Sequence, residues 1–274
     1  MHNGVKPFYA FSQGWTDSPE GDFAKKRKYQ IGLSARDLAG EIMQEQRIED
    51  RLICALDVDT LDKAKSIVDR LDGVISFFKV GIVLQIAAGQ QAIDYLLENN
   101  KRVFLDLKYY DVPETVEKAV KCATEKGIAL LTIHGNGEII QKAVHGKGNS
   151  GLKLLAVTVL TSLDSDDLHN MGYECSVEEL VMHRTRKAVE YGCDGVISSP
   201  NEIKMIRNEV GPRLIIVTPG IRLDERRDDH KRKAEPADAI RDGADYLVVG
   251  RPIIQDKNPK EAALRIIEDM SRGV

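Results

Sequence analysis

The sequence predicts an α/β chain folded as a (β/α)8 TIM barrel, a single domain with an N-terminal extension. Three observations carry that expectation. From Leu52 onward, eight short β-rich apolar runs alternate with segments of helical spacing. The 274 residues can bury one large core, and no second compositional domain interrupts them. Where a dinucleotide-binding sheet would carry Gly-x-Gly-x-x-Gly after its first strand, Asp57-Val58-Asp59-Thr60 stands instead.

Residues 1–50 form the expected extension and 51–274 the barrel. The extension opens as an irregular leader with scattered aromatics (Phe8, Tyr9, Phe11, Trp15) and the short basic run Lys25-Lys26-Arg27-Lys28. Ser34 and Asp37 then resemble a capping box for a helix to about Gln46, with Leu38, Ile42 and Met43 on its apolar side. The expected strands are Leu52–Val58, Ile75–Val80, Arg102–Lys108, Ala129–His134, Lys153–Leu160, Gly195–Ser198, Arg213–Thr218 and Asp245–Gly250. Helical spacing marks Leu61–Leu71, Val83–Leu97, Pro113–Glu125, Val177–Tyr191 and Pro259–Met270. Pro113 suits the first turn of its helix, where the missing N–H costs nothing. The stretch Leu163–Glu179 reads as a loop long enough to act as a lid.

Composition narrows the class. A formal net charge of −4 argues against a general nucleic-acid or membrane-surface binder. No apolar run reaches membrane-spanning length, and the N-terminus lacks a signal-peptide apolar segment. Cys54, Cys122, Cys175 and Cys193 lack metal-site or disulfide-framework spacing, and Cys54 and Cys122 read as small core residues. The expectation is a cytoplasmic protein with no bound metal and no cofactor.

Barrels of this kind place their chemistry at the C-terminal ends of the strands. Those ends are Asp57, Lys79, Asp106 with Lys108, His134, Thr161-Ser162, Ser199-Pro200-Asn201, Pro219-Gly220-Ile221-Arg222 and Gly250-Arg251. Strand alternation puts Asp106 and Lys108 on one face with Phe104, opposite Leu105 and Leu107. A buried carboxylate beside a buried ammonium costs several kcal/mol of desolvation, roughly, unless pairing recovers it. Asp106-x-Lys108-x-x-Asp111 is therefore a proton-handling pattern; a solvated turn with incidental charges is the competing reading. Asp57 competes with a helix-cap reading, and His134 with simple packing. Arg222, His230 and Arg251 fall in the loops after strands seven and eight, where barrels often hold phosphate. Arginine offers a bidentate fork there, and glycine permits close backbone approach.

The chain resembles the orotidine 5′-phosphate decarboxylase family from about Leu52 to its end. The resemblance rests on Ala55-Leu56-Asp57, Phe78-Lys79-Val80-Gly81, Asp106 through Thr115, Val157 through Ser162, Thr218 through Arg222, Asp229 through Arg232, and Val248 through Pro252. It implies conversion of orotidine 5′-phosphate to uridine 5′-phosphate and CO2 in pyrimidine biosynthesis, without a cofactor. It also implies a homodimer in which Asp111 and Thr115 reach the partner's site. By position, Lys79, Asp106, Lys108 and Asp111 form the charged network, and Asp57 and Lys79 hold ribose hydroxyls. Thr161 and Ser162 face the pyrimidine; Pro219 opens a closing loop; Arg222, His230, Gly250 and Arg251 grip the phosphate. His230 departs from the glutamine usual in the family, and Glu114 from the usual asparagine. The alternatives are a magnesium-dependent sugar-phosphate decarboxylase or synthase on the same scaffold, and a catalytically silent nucleotide binder.

Overall fold

Two sets of side chains on every strand determine the architecture. Ile53, Ala55, Phe77, Phe104, Leu130, Leu155, Val157, Ile197, Val217 and Val248 pack together as one cluster. Their chain neighbours Cys54, Phe78, Val103, Leu105, Leu131 and Ala156 join a larger cluster with the helices. A strand buried on both faces and feeding both clusters is what a closed parallel barrel requires.

The computed structural model describes residues 47–134, 137–222 and 234–274. Among these, eight parallel strands close in chain order: β1 Leu52–Ala55, β2 Phe77–Gly81, β3 Arg102–Tyr109, β4 Leu130–His134, β5 Lys153–Val157, β6 Gly195–Ile197, β7 Ile215–Thr218 and β8 Tyr246–Val249. β1 completes the ring against β8, with Leu52 opposite Leu247 and Cys54 opposite Val249. The expected barrel is the observed one. The leader, its basic run and the helix expected from Ser34 lie outside the described residues.

The helices between strands bear out the periodic segments: α1 Leu61–Arg70, α2 Ile82–Glu98 and α3 Pro113–Glu125, then α4 Gly137–Lys147, α5 Ser165–Asn170 and α6 Val177–Glu190. They continue as α7 Ile203–Val210, α8 Pro236–Arg241, α9 Arg251–Ile254 and α10 Pro259–Ser271. Pro113 is the first residue of α3. Thr60, not Asp57, caps α1 by accepting from the Lys63 amide, which leaves Asp57 available to the barrel mouth.

Several boundaries differ from the expected ones for local reasons. β5 ends at Val157, whose pairing with Ile197 is the last of the β5–β6 ladder, and the Thr158 hydroxyl adds a second hydrogen bond to the Ile197 carbonyl there. β7 begins at Ile215 because Gly211–Arg213 forms a 3-10 turn around Pro212. The supposed lid carries the short helix α5, started by a reciprocal capping box between Asp164 and Asp167. Cys122 is exposed, contrary to the core reading. The buried stripe of α3 runs through Val116, Val120 and Ala123, and Cys122, two residues past Val120, faces away from it.

The two ends of the barrel differ in their use of charge. Below the strands, Arg207 donates to the carbonyls of Gly211, Leu214 and Gly243 and to Asp245. Asp194 likewise accepts from Lys147 and from the Leu154 amide. Those pairs satisfy backbone and tie loops. At the other end, the charges face an open space.

Candidate active site

That space is a cavity of about 390 Å³ at the C-terminal ends of the strands, within the usual range for small-molecule sites. Its walls include Asp57, Lys79, Asp106, Lys108, Thr161, Ser162, Pro219, Arg222 and Gly250, so nine of the expected site residues meet in one place. Its apolar floor is Ala55, Phe104, Val157, Ile197 and Val248, the upper layer of the inner core.

Charges alternate across the mouth. Lys79 Nζ lies 3.0 Å from Asp57 Oδ1 and 3.5 Å from Asp106 Oδ2. Lys108 Nζ lies 2.9 Å from Asp106 Oδ1. The sequence of charges is thus carboxylate, ammonium, carboxylate, ammonium. Lys79 and Asp106 are almost enclosed, whereas Lys108 keeps about a third of its side-chain surface open (32%). Burial by itself pushes the Lys79 ammonium down, but Asp106 and Asp57 outweigh it and hold its pKa above the ordinary 10.5. Burial by itself pushes the Asp106 carboxyl up. Lys79 and Lys108, with hydrogen bonds from Lys108 and Thr132, overcome that and hold it below the ordinary 3.8. Both groups are charged at neutral pH.

Local backbone features aim these side chains. Gly81 leaves room for the first pair: a Cβ there would stand 2.9 Å from Lys79 Nζ and 3.1 Å from Asp57 Oδ1. In the β3–β4 ladder, Leu105 faces Leu131 and Tyr109 faces Ile133, so four steps of β3 run against two of β4. Lys108 sits inside this bulge with φ of +50°. That left-handed backbone costs a side-chain-bearing residue roughly 1–3 kcal/mol and persists only where neighbours enforce it. The enforcing group is Thr132, whose hydroxyl accepts from the Lys108 amide and donates to Asp106 Oδ1, both at 2.9 Å. Sequence reasoning missed Thr132. Its signal was present, since it alternates in phase with inward-facing Leu130.

Other expected residues lie elsewhere. Arg251 is the half-buried first residue of α9, directly after Gly250. Asp111 and Thr115 are exposed on this chain, and the Asp111 carboxylate accepts from the Val112 amide. His134 does not line the cavity that holds Lys79, Asp106 and Lys108. It lines a neighbouring one of about 490 Å³ with Tyr110, Tyr173 and Arg184, its ring 4.7 Å from that of Tyr110. Burial, with help from Arg184, holds its imidazole pKa low. His230 lies outside the described residues. Among the described residues, no group of three or more His, Cys, Asp or Glu side chains is placed to hold a metal ion, and no helix is long and apolar enough to cross a membrane.

Comparison with known proteins agrees with this geometry. Residues 50–266 match the model of the orotidine 5′-phosphate decarboxylase / HUMPS family. The chain is 49% identical over 223 residues to orotidine 5′-phosphate decarboxylase of Nitrobacter winogradskyi, covering 81% of this chain and 93% of that one. It is 48% identical over 221 residues to the enzyme of the same name from Methylococcus capsulatus, covering 80% and 90%. Among solved structures, orotidine 5′-phosphate decarboxylase from Lactobacillus acidophilus superimposes with a TM-score of 0.72 at 34% identity, covering 81% of this chain and 99% of that one. A closed eight-stranded barrel with charges concentrated at its mouth, matched along most of its length at these identities, places the chain in the orotidine 5′-phosphate decarboxylase / HUMPS family as a decarboxylase.

Proposed function

We propose that the protein converts orotidine 5′-phosphate to uridine 5′-phosphate and CO2, the closing step of de novo pyrimidine nucleotide synthesis, in the cytoplasm and without a cofactor. The catalytic unit is the barrel, residues 51–274. The observation that carries the reading is the row Asp57, Lys79, Asp106, Lys108 at the mouth of one cavity.

Breaking the C6–carboxylate bond leaves the electron pair in an sp² orbital of the pyrimidine, with no adjacent carbonyl to spread it. Stabilisation must come from fixed charge already in place. Lys108, held by Asp106, is the one ammonium of the row with substantial exposure to the cavity. It lies beside C6, offsets the developing charge and transfers an Nζ proton to C6 once CO2 has left. Asp106 faces the departing carboxylate, and Asp57 with Lys79 holds the ribose hydroxyls. Thr161 and Ser162 meet the base. Arg222, Gly250, Arg251 and His230 take the phosphate, whose binding energy closes the loop after Pro219 and excludes water.

The active form is a homodimer in which Asp111 and Thr115 complete the partner's site. Supporting this, both residues are exposed and lie off the cavity of their own chain. Large apolar side chains are exposed around them. Tyr110 and Val112 flank Asp111, while Ile82, Val83 and Ile86 open the helix after the neighbouring strand β2.

Proton delivery to a C6 carbanion has a direct signature. In D2O, uridine 5′-phosphate formed by the protein carries one deuterium, at C6. Product with protium there contradicts the step. Lys108→Ala lowers turnover by far more than it weakens binding of uridine 5′-phosphate; a loss of turnover within about tenfold, roughly 1.4 kcal/mol, contradicts the role of Lys108.

A further inference from the structure

We propose that Thr132 is a positioning residue for this reaction, one hydroxyl fixing both the backbone and the ammonium of Lys108. The inference rests on the decarboxylase function proposed above and deepens it. Thr132 is fully buried in β4 and is not among the residues lining the catalytic cavity, so it acts through others.

A hydroxyl has one proton to give and two lone pairs to receive. The Lys108 amide donates to Thr132 Oγ1 at 2.9 Å. The hydroxyl proton is therefore directed to Asp106 Oδ1, also at 2.9 Å. Asp106 Oδ1 in turn accepts from Lys108 Nζ at 2.9 Å. The contacts close a ring that leaves Lys108 through its backbone, passes through Thr132 and Asp106, and returns to Lys108 through its side chain. Within the bulge, the hydroxyl takes the place of a ladder partner for the Lys108 amide. With φ of +50°, Lys108 needs such an anchor, because its backbone otherwise favours the ordinary extended region. A four-carbon side chain held at both ends presents its ammonium to one point in the cavity. Without the hydroxyl, only the head would be held.

Asp106 reports on the same ring. It is faced by Lys79 from β2, by Lys108 from its own strand and by Thr132 from β4, with Asp57 beyond Lys79. The Thr132 hydrogen bond favours its charged form.

Thr132→Val keeps the shape and removes the hydroxyl; Thr132→Ser keeps the hydroxyl. We expect Thr132→Val to lower kcat by about ten- to a hundredfold, with KM within about threefold of wild type, the loss of a hydrogen bond to a charged group. Thr132→Ser recovers most of kcat. In the ligand-free protein, the ¹³C-observed titration midpoint of the Asp106 carboxyl rises in Thr132→Val and returns in Thr132→Ser. Thr132→Ala substitutes for the valine variant if that one does not fold. A merely structural residue would lower the melting temperature while leaving kcat per folded site and the Asp106 midpoint unchanged, and that result overturns the proposal. Lack of turnover by the wild-type protein instead overturns the proposed function. An active wild type beside an indifferent Thr132→Val overturns the role of Thr132 alone.

Discussion

Asp106 and Lys79 are ionised because each is surrounded by the other's sign, and the same fact couples the site to stability. The Asp106 carboxyl titrates below its ordinary value in the fold, so its contribution is complete above about pH 4 and is lost as pH falls through the depressed value. The Lys79 ammonium titrates above its ordinary value, so its contribution is complete below about pH 10.5 and is lost as pH rises through the raised one. Urea unfolding should therefore show a difference between wild type and Asp106→Asn at pH 7 that shrinks by pH 3. An equal difference at both values would mean that the carboxyl is not depressed. Arg251 belongs to the same scale. Replacing it with alanine should weaken binding of uridine 5′-phosphate by about tenfold or more, some 1.4 kcal/mol, and unchanged inhibition by that nucleotide would remove Arg251 from the phosphate site.

At the scale of the element, each strand changes character along its length. The lower halves fill the barrel with apolar side chains and the ends release polar ones. Phe77 belongs to the apolar half. It is buried in the inner cluster, edge-on to Tyr246 at 5.8 Å, with the Arg102 guanidinium 4.2 Å over its ring. Phe77→Ala should cost about 3–5 kcal/mol of stability while leaving KM near the wild-type value; a loss under about 1 kcal/mol would show that the inner layer collapses onto the gap. Alternation made most of this legible in the sequence. The phase of Phe77 gives Lys79, and that of Phe104 gives Asp106. The bulge in β3 was not legible, because two extra residues change a ladder without changing the apolar pattern around them. Thr132 escaped for a related reason: a threonine in a strand reads as ordinary β-former until a neighbour's backbone is seen to need its hydroxyl. His134 has the right phase and the wrong neighbours, since Tyr110 and Arg184 draw it into the adjoining cavity.

For the whole molecule, closure in chain order brings residues nearly 200 positions apart to one rim, with Asp57 beside Gly250. The proposed dimer extends that logic across a symmetry axis. Mixing Lys108→Ala chains with Asp111→Ala chains should restore about a quarter of wild-type activity at random pairing, because each hybrid holds one intact site. No recovery from chains shown to exchange would place Asp111 in its own chain's site. The order of motifs around the rim was readable from the sequence because each strand end carries its own polar residue. A contribution from a partner chain is an expectation of the family resemblance alone, since nothing in Asp111 or Thr115 distinguishes an interface residue from a solvated one. The most direct test of the function follows the ultraviolet absorbance of orotidine 5′-phosphate after addition of purified protein, with a chelator present. Rapid, chelator-insensitive loss of substrate with stoichiometric uridine 5′-phosphate is the expected result. A folded, dimeric protein that leaves the substrate untouched, or that turns over only when magnesium is restored, would contradict it.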